Sequence, residues 1–243
     1  MNKVFVGGSR QVSRLPPVVT ERLNNITNSG AHIIVGDANG ADKAVQKFLI
    51  DHSYKQVTVF CSGDNCRNNL GDWHTKNINA PKNSKGFQFY AAKDREMAQE
   101  ADFGLMIWDG KSIGTVLNIF RLLSAGKKAV LINVPTKTTM TFKTWSDWKE
   151  FSSRFTSSFL VDLGKRVTSD ESKGFSELYE RGSLFDFRSP SSADLVGAPG
   201  GEHLSKDTDF FKESRFKLFI RSMVAKWNSL WLTATDLLRG EKR

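Results

Sequence analysis

Short apolar runs alternate with longer segments of mixed polarity along the first 135 residues of the chain. Five runs are typical of strands buried in a sheet, at residues 3–6, 31–35, 56–60, 102–107 and 128–134. The segments between them predict helices, at residues 16–29, 41–52, 89–100 and 114–125. This alternation implies right-handed βαβ crossovers. We therefore predict an α/β fold, a Rossmann-like doubly wound parallel sheet of about five strands.

The pattern changes after the last of these strands, so we divide the chain into a domain at residues 1–138 and a mainly α-helical region at 139–243. Within this region, residues 145–159 predict an aromatic helix. Residues 188–206 are rich in Ser, Pro, Gly and Ala and predict a loop or linker. Residues 209–238 predict a basic amphipathic helix, which either packs on its own domain or binds a partner or a membrane surface.

Four of the predicted strands are followed by loops with the chemistry of a binding site. In a doubly wound sheet the ligand lies outside the carboxyl ends of the strands, so the four loops share one rim. One of the loops is the segment after residue 60, and the ligand-binding candidates in the other three are Gly7, Gly8, Ser9, Arg10, Gly36, Gly40, Asp42, Trp108, Lys111, Ser112, Gly114 and Thr115.

The loop after the fourth strand is the strongest candidate for an anion site. A strand that enters a helix through a Gly/Ser/Thr turn leaves unpaired N–H groups at the helix N-terminus, which is most often a phosphate site. We place phosphates on residues 7–9 and 112–115, and ribose near Asp37. Simpler interpretations stay open: Gly114 as a tight turn, Arg10 as a solvated cation and Asp42 as a helix cap.

The thirty residues after residue 60 contain no predicted element. Connections of this length in a compact domain are usually functional lids or mobile segments. Arg67, Asn68, Asp72, Trp73 and His74 could close over a nucleotide, with Trp73 stacked on a base. Trp73 could equally pin the loop to the core.

Net charge narrows the range of ligands. The chain has a formal charge of +9, and residues 1–138 carry most of the excess, with 18 Lys and Arg against 11 Asp and Glu. A basic field over a phosphate-binding cleft favours anionic ligands. The same field would attract nucleic acid, so charge alone does not separate a mononucleotide from a polynucleotide.

Several classes of protein do not fit the sequence. It has no uncharged apolar stretch of about 18 residues and no signal-peptide pattern, so we expect no membrane span and a cytoplasmic location. Cys61 and Cys66 have no Cys or His partners at zinc spacing, and we expect neither a metal site nor a disulfide framework. We predict no cofactor.

Four motifs follow one another in the first domain: Gly-Gly-Ser-Arg at 7–10, Gly-Asp-Ala-Asn-Gly-Ala-Asp at 36–42, Lys-Asp-Arg-Glu-Met-Ala at 93–98, and residues 101–115, which include Trp-Asp-Gly-Lys-Ser-Ile-Gly-Thr. Together they resemble the YspA/YpsA-related branch of the SLOG superfamily. This Rossmann-like group includes the LOG phosphoribohydrolases and the DNA-processing protein DprA. The resemblance covers about residues 1–135.

The resemblance implies a nucleotide-binding fold whose members cleave the N-glycosidic bond of nucleotides or sense NAD-derived nucleotides for another domain. In the LOG hydrolases a Gly-Gly-x-Gly-Thr-x-x-Glu motif holds phosphate and supplies an acidic catalytic residue. The matching stretch here is residues 112–118, and Asn118 stands where that family has Glu. Nucleoside deoxyribosyltransferases, which are similar in the same segment, also use a Glu that this position lacks. An amide cannot act as a carboxylate base or nucleophile.

Two functions follow as hypotheses. A hydrolase acting on a nucleotide or an NAD- or ADP-ribose-like ligand needs a carboxylate near the anomeric carbon and an acid for the leaving base. Asp37 is the first catalytic candidate, then Asp109 and Asp94, with Arg67 or Arg95 orienting phosphate. The alternative is a sensor or sequestering protein for a signal nucleotide, favoured by Asn118. A weaker alternative is a DprA-like nucleic-acid binder, and a homo-oligomer stays open.

Overall fold

The structure, a computed structural model, describes residues 1–81 and 84–171 of the chain. The linker predicted at 188–206 and the amphipathic helix predicted at 209–238 lie outside the described residues. The predicted division at residues 138 and 139 falls at the start of the last strand of the sheet, and residues 139–171 continue that sheet and its core.

A seven-stranded sheet forms the centre of the described part, in the order β4-β3-β2-β1-β5-β6-β7. All neighbouring strands pair in parallel except β6 and β7, which are antiparallel. The strands are β1 Lys3–Gly8, β2 His32–Gly36, β3 Val57–Ser62, β4 His74–Ile78, β5 Phe103–Trp108, β6 Lys128–Asn133 and β7 Thr138–Phe142. This arrangement confirms the α/β Rossmann-like fold class, with seven strands rather than about five.

The two additional strands, β4 and β7, lie at the two edges of the sheet. Each carries mostly exposed or half-buried side chains, because an edge strand covers little of the core. The apolar run that marks a central strand is therefore missing from both. β4 lies within the segment that the sequence predicts as a long loop.

Six helices connect and cover the strands within residues 1–81 and 84–171. They are α1 Pro17–Asn28, α2 Ala41–Asp51, α3 Gly86–Glu100, α4 Ile113–Ser124, α5 Trp145–Ser152 and α6 Ser157–Gly164. The single aromatic helix predicted at 145–159 is wrong, because the segment contains α5 and the start of α6. Each has its own N-cap: Thr144 forms a capping box with Asp147, and the Thr156 hydroxyl accepts a hydrogen bond from Phe159 N.

Two buried clusters, one on each face of the sheet, hold these layers together. One contains Val6, Ile33 and Val35 with the apolar side chains of α1 and α2. The other contains Phe5 and Met106 with α4, and the aromatic side chains of α5 pack onto it. From β1 the chain passes outward through β2, β3 and β4, and it then crosses back to place β5 on the other side of β1. The topological switch point therefore lies between β1 and β5.

Candidate functional site

A cleft of about 640 Å³ opens at the carboxyl ends of β1 and β5, at the switch point. Its walls come from the loops after β1, β2 and β5, from α3 and from the start of α4. Eleven of the predicted site residues line it: Gly7, Gly8, Arg10, Asp42, Arg67, Asp94, Asp109, Lys111, Ser112, Gly114 and Thr115. The fold thus brings most of the predicted site residues together in one cleft.

Ser9 joins the loops after β1 and β5 beneath the cleft. Its buried hydroxyl lies 3.1 Å from Thr115 Oγ1 and accepts a hydrogen bond from Asp109 N at 3.1 Å. Its backbone N–H donates to Ile107 O at 2.9 Å, and its carbonyl accepts from Ala41 N at 3.1 Å. Ser9 does not line the cleft itself. It fixes the geometry of the two loops that do.

The side chain of Asp109 accepts hydrogen bonds from the backbone of its own loop. Its Oδ1 accepts hydrogen bonds from Lys111 N at 2.9 Å and from Ser112 N at 2.7 Å. The first bond within α4 runs from Val116 N to Ser112 O at 3.4 Å. The N–H groups of residues 113–115 therefore precede the helical ladder, and they are the donors that α4 can offer to an anion.

Asp37 and Arg67, two of the predicted catalytic residues, form an ion pair with each other. The side chain of Asp37 is fully buried, while that of Arg67 is one-third exposed. Asp37 Oδ2 accepts from Arg67 Nε at 3.0 Å and from Arg67 N at 3.1 Å, and Oδ1 accepts from the other end of the guanidinium. Burial acts to raise the pKa of Asp37, but the hydrogen bonds from Arg67 outweigh it and the pKa is lowered. Asp37 does not line the cleft.

Tyr90 of α3 places an aromatic ring next to two guanidinium groups of the cleft. Arg67 Cζ lies 4.4 Å from the ring centroid and Arg10 Cζ lies 5.0 Å from it. Cations at such distances are attracted by the ring quadrupole. Arg67 is already paired with Asp37, so Arg10 is the cation of this group that can turn to a ligand.

A buried charge cluster forms the floor of the cleft. Lys93 Nζ lies 2.7 Å from Asp94 Oδ1 and 3.8 Å from Asp42 Oδ2. Asp42 Oδ2 also accepts a hydrogen bond from Ala38 N at 3.2 Å. Gly36 is required above this cluster, because a Cβ at that position would lie 2.3 Å from Asp42 Oδ2 and 2.5 Å from Lys93 Nζ.

The cluster separates the pKa values of its two carboxyl groups. Burial raises the pKa of Asp42 to about 6, although the charge of Lys93 opposes that shift. Burial also acts to raise the pKa of Asp94, but the charges of Lys93 and Arg121 outweigh it and the pKa is lowered. Lys93 keeps a raised pKa, because the two carboxylates outweigh its own burial. Carboxyl groups with separated pKa values in a cleft are typical of functional sites.

Asn118 connects the cleft to a second buried pair. Its side-chain Oδ1 accepts from Arg121 Nη1 at 2.8 Å, and its amide forms a side-chain hydrogen bond to Asp94. Arg121 Nε in turn donates to Glu171 Oε1 at 2.7 Å. Arg121 therefore fixes the orientation of the Asn118 amide, and Asn118 stabilises the ionised form of Asp94.

The segment after β3 is ordered by its own contacts. Trp73 is buried and its Nε1 donates to Tyr54 O at 3.0 Å, so Trp73 pins this segment to the core. Asn68 donates to the carbonyl of Asp37 at 2.8 Å, and Cys61 and Cys66 form a disulfide with a Cα–Cα distance of 5.1 Å. The expectation of a segment without secondary structure is wrong, because β4 lies within it, and this single disulfide is a local link that the sequence did not predict. A pairing across five residues is shorter than the spacings that mark a disulfide framework in sequence.

Some predicted residues lie away from the cleft. Gly36 is the last residue of β2 and Gly40 lies in the loop that follows, and neither lines the cleft. A Cβ on Gly40 would lie 2.2 Å from Arg10 O. The indole of Trp108, the last residue of β5, packs edge-to-face on Phe151 of α5 instead of lining the cleft. Gly36 therefore makes room for the side chains of Asp42 and Lys93, Gly40 allows a close approach of the Arg10 backbone, and Trp108 belongs to the core.

Several side chains of the cleft were not predicted from the sequence, and they lie mainly on α3. Phe87, Tyr90, Lys93 and Met97 line the cleft with Asp94. Their spacing of three to four residues places them on one helical face. That spacing could have indicated the lining face of α3 from sequence. The rule that ligands lie outside the carboxyl ends of the strands points to the loops there, and not to a helix that crosses over them.

Among the described residues, no group of three or more His, Cys, Asp or Glu side chains is arranged to hold a metal ion. None of the helices in the described part is long and apolar enough to cross a membrane. Comparisons of the chain with protein-family models, with curated proteins and with solved structures each gave no match.

Proposed function

We propose that the chain binds a phosphorylated nucleoside in the cleft between the loops after β1 and β5. The observation that carries this proposal is the position of the cleft at the topological switch point, where it combines the N-terminus of α4 with Arg10, Lys111 and the ring of Tyr90. This is the place where doubly wound sheets bind their ligands.

The phosphate has a natural position at the start of α4. The N–H groups of residues 113–115 and the side chain of Lys111 supply donors and positive charge there. Gly7 and Gly8, at the end of β1, line the facing wall of the cleft, and a Cβ on Gly8 would lie 2.3 Å from Ile107 O, so Gly8 lets β1 and β5 approach closely there. The sugar and base then extend toward Tyr90 and Arg10, where a planar ring can be recognised by stacking and by the guanidinium.

Hydrolysis of the N-glycosidic bond is the reaction that this cleft supports best. Such a reaction needs an ionised carboxylate near the anomeric carbon and an acid that protonates the leaving base. Asp94 lines the cleft with a lowered pKa, and Asp42, next to it across Lys93, has a pKa of about 6. We assign the carboxylate role to Asp94 rather than Asp37, because Arg67 occupies both oxygens of Asp37.

A second function, a sensor or sequestering protein for a nucleotide, is favoured by Asn118. This amide stands where the hydrolases that the sequence resembles have an acid. The side chains of Asn118 and Lys93 both donate hydrogen bonds to the Asp94 carboxylate. A cleft whose carboxylates are held by internal donors would bind a nucleotide without attacking it.

The test is incubation of the full chain with nucleoside monophosphates, NAD, ADP-ribose and cyclic nucleotides, followed by native separation and mass spectrometry. Release of a free base that is lost in Asp94→Asn and retained in the surface control Asp64→Asn supports hydrolysis. A nucleotide recovered intact supports the sensor. If the chain neither retains nor cleaves any compound of the panel, the proposal of nucleotide binding is contradicted.

A further inference from the structure

Arg166 lines the nucleotide cleft from beyond the domain that the sequence predicts at residues 1–138. It follows the end of α6 and is half-buried. Its guanidinium packs on Phe87 of α3, with Cζ 5.1 Å from the ring centroid. The motifs that predict the site end at residue 115, so none of them includes this arginine.

The backbone of Arg166 is held on α3 and α4. Its carbonyl accepts a hydrogen bond from Gln88 Nε2 at 3.0 Å, and its N–H donates to Leu163 O at 3.0 Å. Val167 is buried in the core cluster that contains α4. Glu171 accepts hydrogen bonds from arginines of both helices. The side chain of Arg166 is therefore the part of this segment that can turn toward a ligand.

The guanidinium of Arg166 forms no ion pair with any carboxylate of the described residues. Two acids close to it in the sequence have other partners: Asp162 pairs with Lys165 at 2.9 Å, and Glu171 pairs with arginines of α3 and α4. A guanidinium that lines a cleft without a counter-charge favours an anionic ligand. Its planar arrangement of donors matches a phosphate group.

Phe87 brings Arg166 close to the proposed phosphate position. The ring that carries the guanidinium also faces the start of α4, where a Cβ on Gly114 would meet Phe87 Cε2 at 3.6 Å. Arg166 and the first turn of α4 are therefore neighbours of the same aromatic ring. The N–H groups of α4 can hold a phosphate from one side, and Arg166 can reach it from the side of Phe87.

We propose that Arg166 binds the phosphate together with the N-terminus of α4, so that the segment after α6 completes the nucleotide site. This inference rests on the proposed function, which places the phosphate at the start of α4. Its consequence is selectivity for phosphorylated nucleosides. A phosphate gains charge-assisted hydrogen bonds from Arg166, and an unphosphorylated nucleoside gains none.

Adenosine monophosphate and adenosine are the probes, because they differ only in the phosphate. Each is titrated by calorimetry into the full chain at one low salt concentration, where screening is weak. Arg166→Met keeps an unbranched apolar side chain over Phe87 and removes the charge. It should weaken adenosine monophosphate about tenfold, the contribution of a hydrogen bond to a charged group, and leave adenosine unchanged.

Two further variants separate charge from shape. Lys165→Met is the matched control, since the ammonium of Lys165 pairs with the exposed Asp162, and it should bind both probes like the wild type. Arg166→Lys keeps the charge and should lose less affinity for adenosine monophosphate than Arg166→Met. An unchanged affinity in Arg166→Met, an equal loss for both probes, or an equal loss in Arg166→Lys and Arg166→Met would overturn the inference and leave the proposed function standing.

Inorganic pyrophosphate is the third probe, because it carries the anionic group without a nucleoside. If the wild type binds pyrophosphate but neither adenosine compound, and Arg166→Met loses that binding, the proposed function fails and Arg166 remains an anion-binding residue. If the wild type binds none of the three probes, both the proposed function and the role of Arg166 are overturned.

Discussion

Arg67 holds the buried carboxylate of Asp37 through its guanidinium and its own backbone N–H. This pair ties the segment after β3 to the end of β2, and the disulfide between Cys61 and Cys66 closes the chain just before it. Arg67 also lies against Tyr90, so the pair positions one wall of the cleft. The two residues that the sequence suggested as catalytic thus act on each other.

We predict that Asp37→Ala destabilises the fold. Removing one partner of a buried ion pair typically costs 3–5 kcal/mol, but the one-third exposed Arg67 can regain water, so we expect a loss of about 2 kcal/mol. Denaturant unfolding measures this loss. Asp64→Ala, an exposed position in the same segment, serves as the control and should change the free energy of unfolding by less than about 0.5 kcal/mol. Equal stability of the two variants would show that the pair does not stabilise the fold.

Trp73→Ala should also destabilise the chain, by about 3 kcal/mol, because Trp73 is buried in the core and its indole N–H is satisfied by Tyr54 O. Trp73→Phe keeps most of the apolar contact and should lose less. The measurement is denaturant unfolding, combined with limited proteolysis of residues 62–73. If Trp73 instead closed over a ligand, Trp73→Ala would leave the stability and the cleavage rate of the free protein unchanged.

The central sheet could be predicted because its strands are buried on both faces and therefore apolar throughout. The edge strand β4 could not, since Thr75, Lys76 and Asn77 have no apolar alternation, and only pairing with β3 makes them a strand. The loops that line the cleft could be predicted because ligands of doubly wound sheets lie outside the carboxyl ends of the strands. The exclusion of Asp37 from the cleft depends on Arg67, thirty residues away, and such a pairing is set by tertiary structure.

The raised pKa of Asp42 predicts a pH dependence of stability. Between pH 3.8 and about 6 the folded chain keeps a proton on Asp42 that the unfolded chain has released. Raising the pH through this window therefore lowers the free energy of unfolding, and the loss is complete above pH 6. Asp42→Asn should be more stable than the wild type by about 3 kcal/mol at pH 7.5, since its amide resembles the protonated acid.

The advantage of Asp42→Asn should disappear toward pH 4, where the wild-type carboxyl group is protonated in the folded chain. Denaturant unfolding of both proteins from pH 4 to 8 gives the difference directly, and the other titrating groups cancel because both proteins share them. A difference that does not vary with pH would mean that Asp42 is ionised throughout this range. Lys93 would then fully compensate the burial of Asp42.

Gly114→Asp should abolish nucleotide binding and preserve the fold. Gly114 is the second residue of α4, where a carboxylate is favourable to the helix dipole by about 0.3–1 kcal/mol. The same carboxylate would lie where the phosphate is expected and would repel it. Calorimetric titration with adenosine monophosphate and ADP-ribose should show affinity reduced at least about tenfold, equivalent to 1.4 kcal/mol.

Gly114→Ala is the matched control for that variant. A Cβ at this position would meet Phe87 Cε2 at 3.6 Å, an ordinary contact, so the alanine variant should fold and bind like the wild type. If Gly114→Asp binds both nucleotides with unchanged affinity while Gly114→Ala does the same, the start of α4 does not hold phosphate. Loss of binding in both variants would instead indicate that the size of the side chain at residue 114, and not its charge, determines nucleotide affinity.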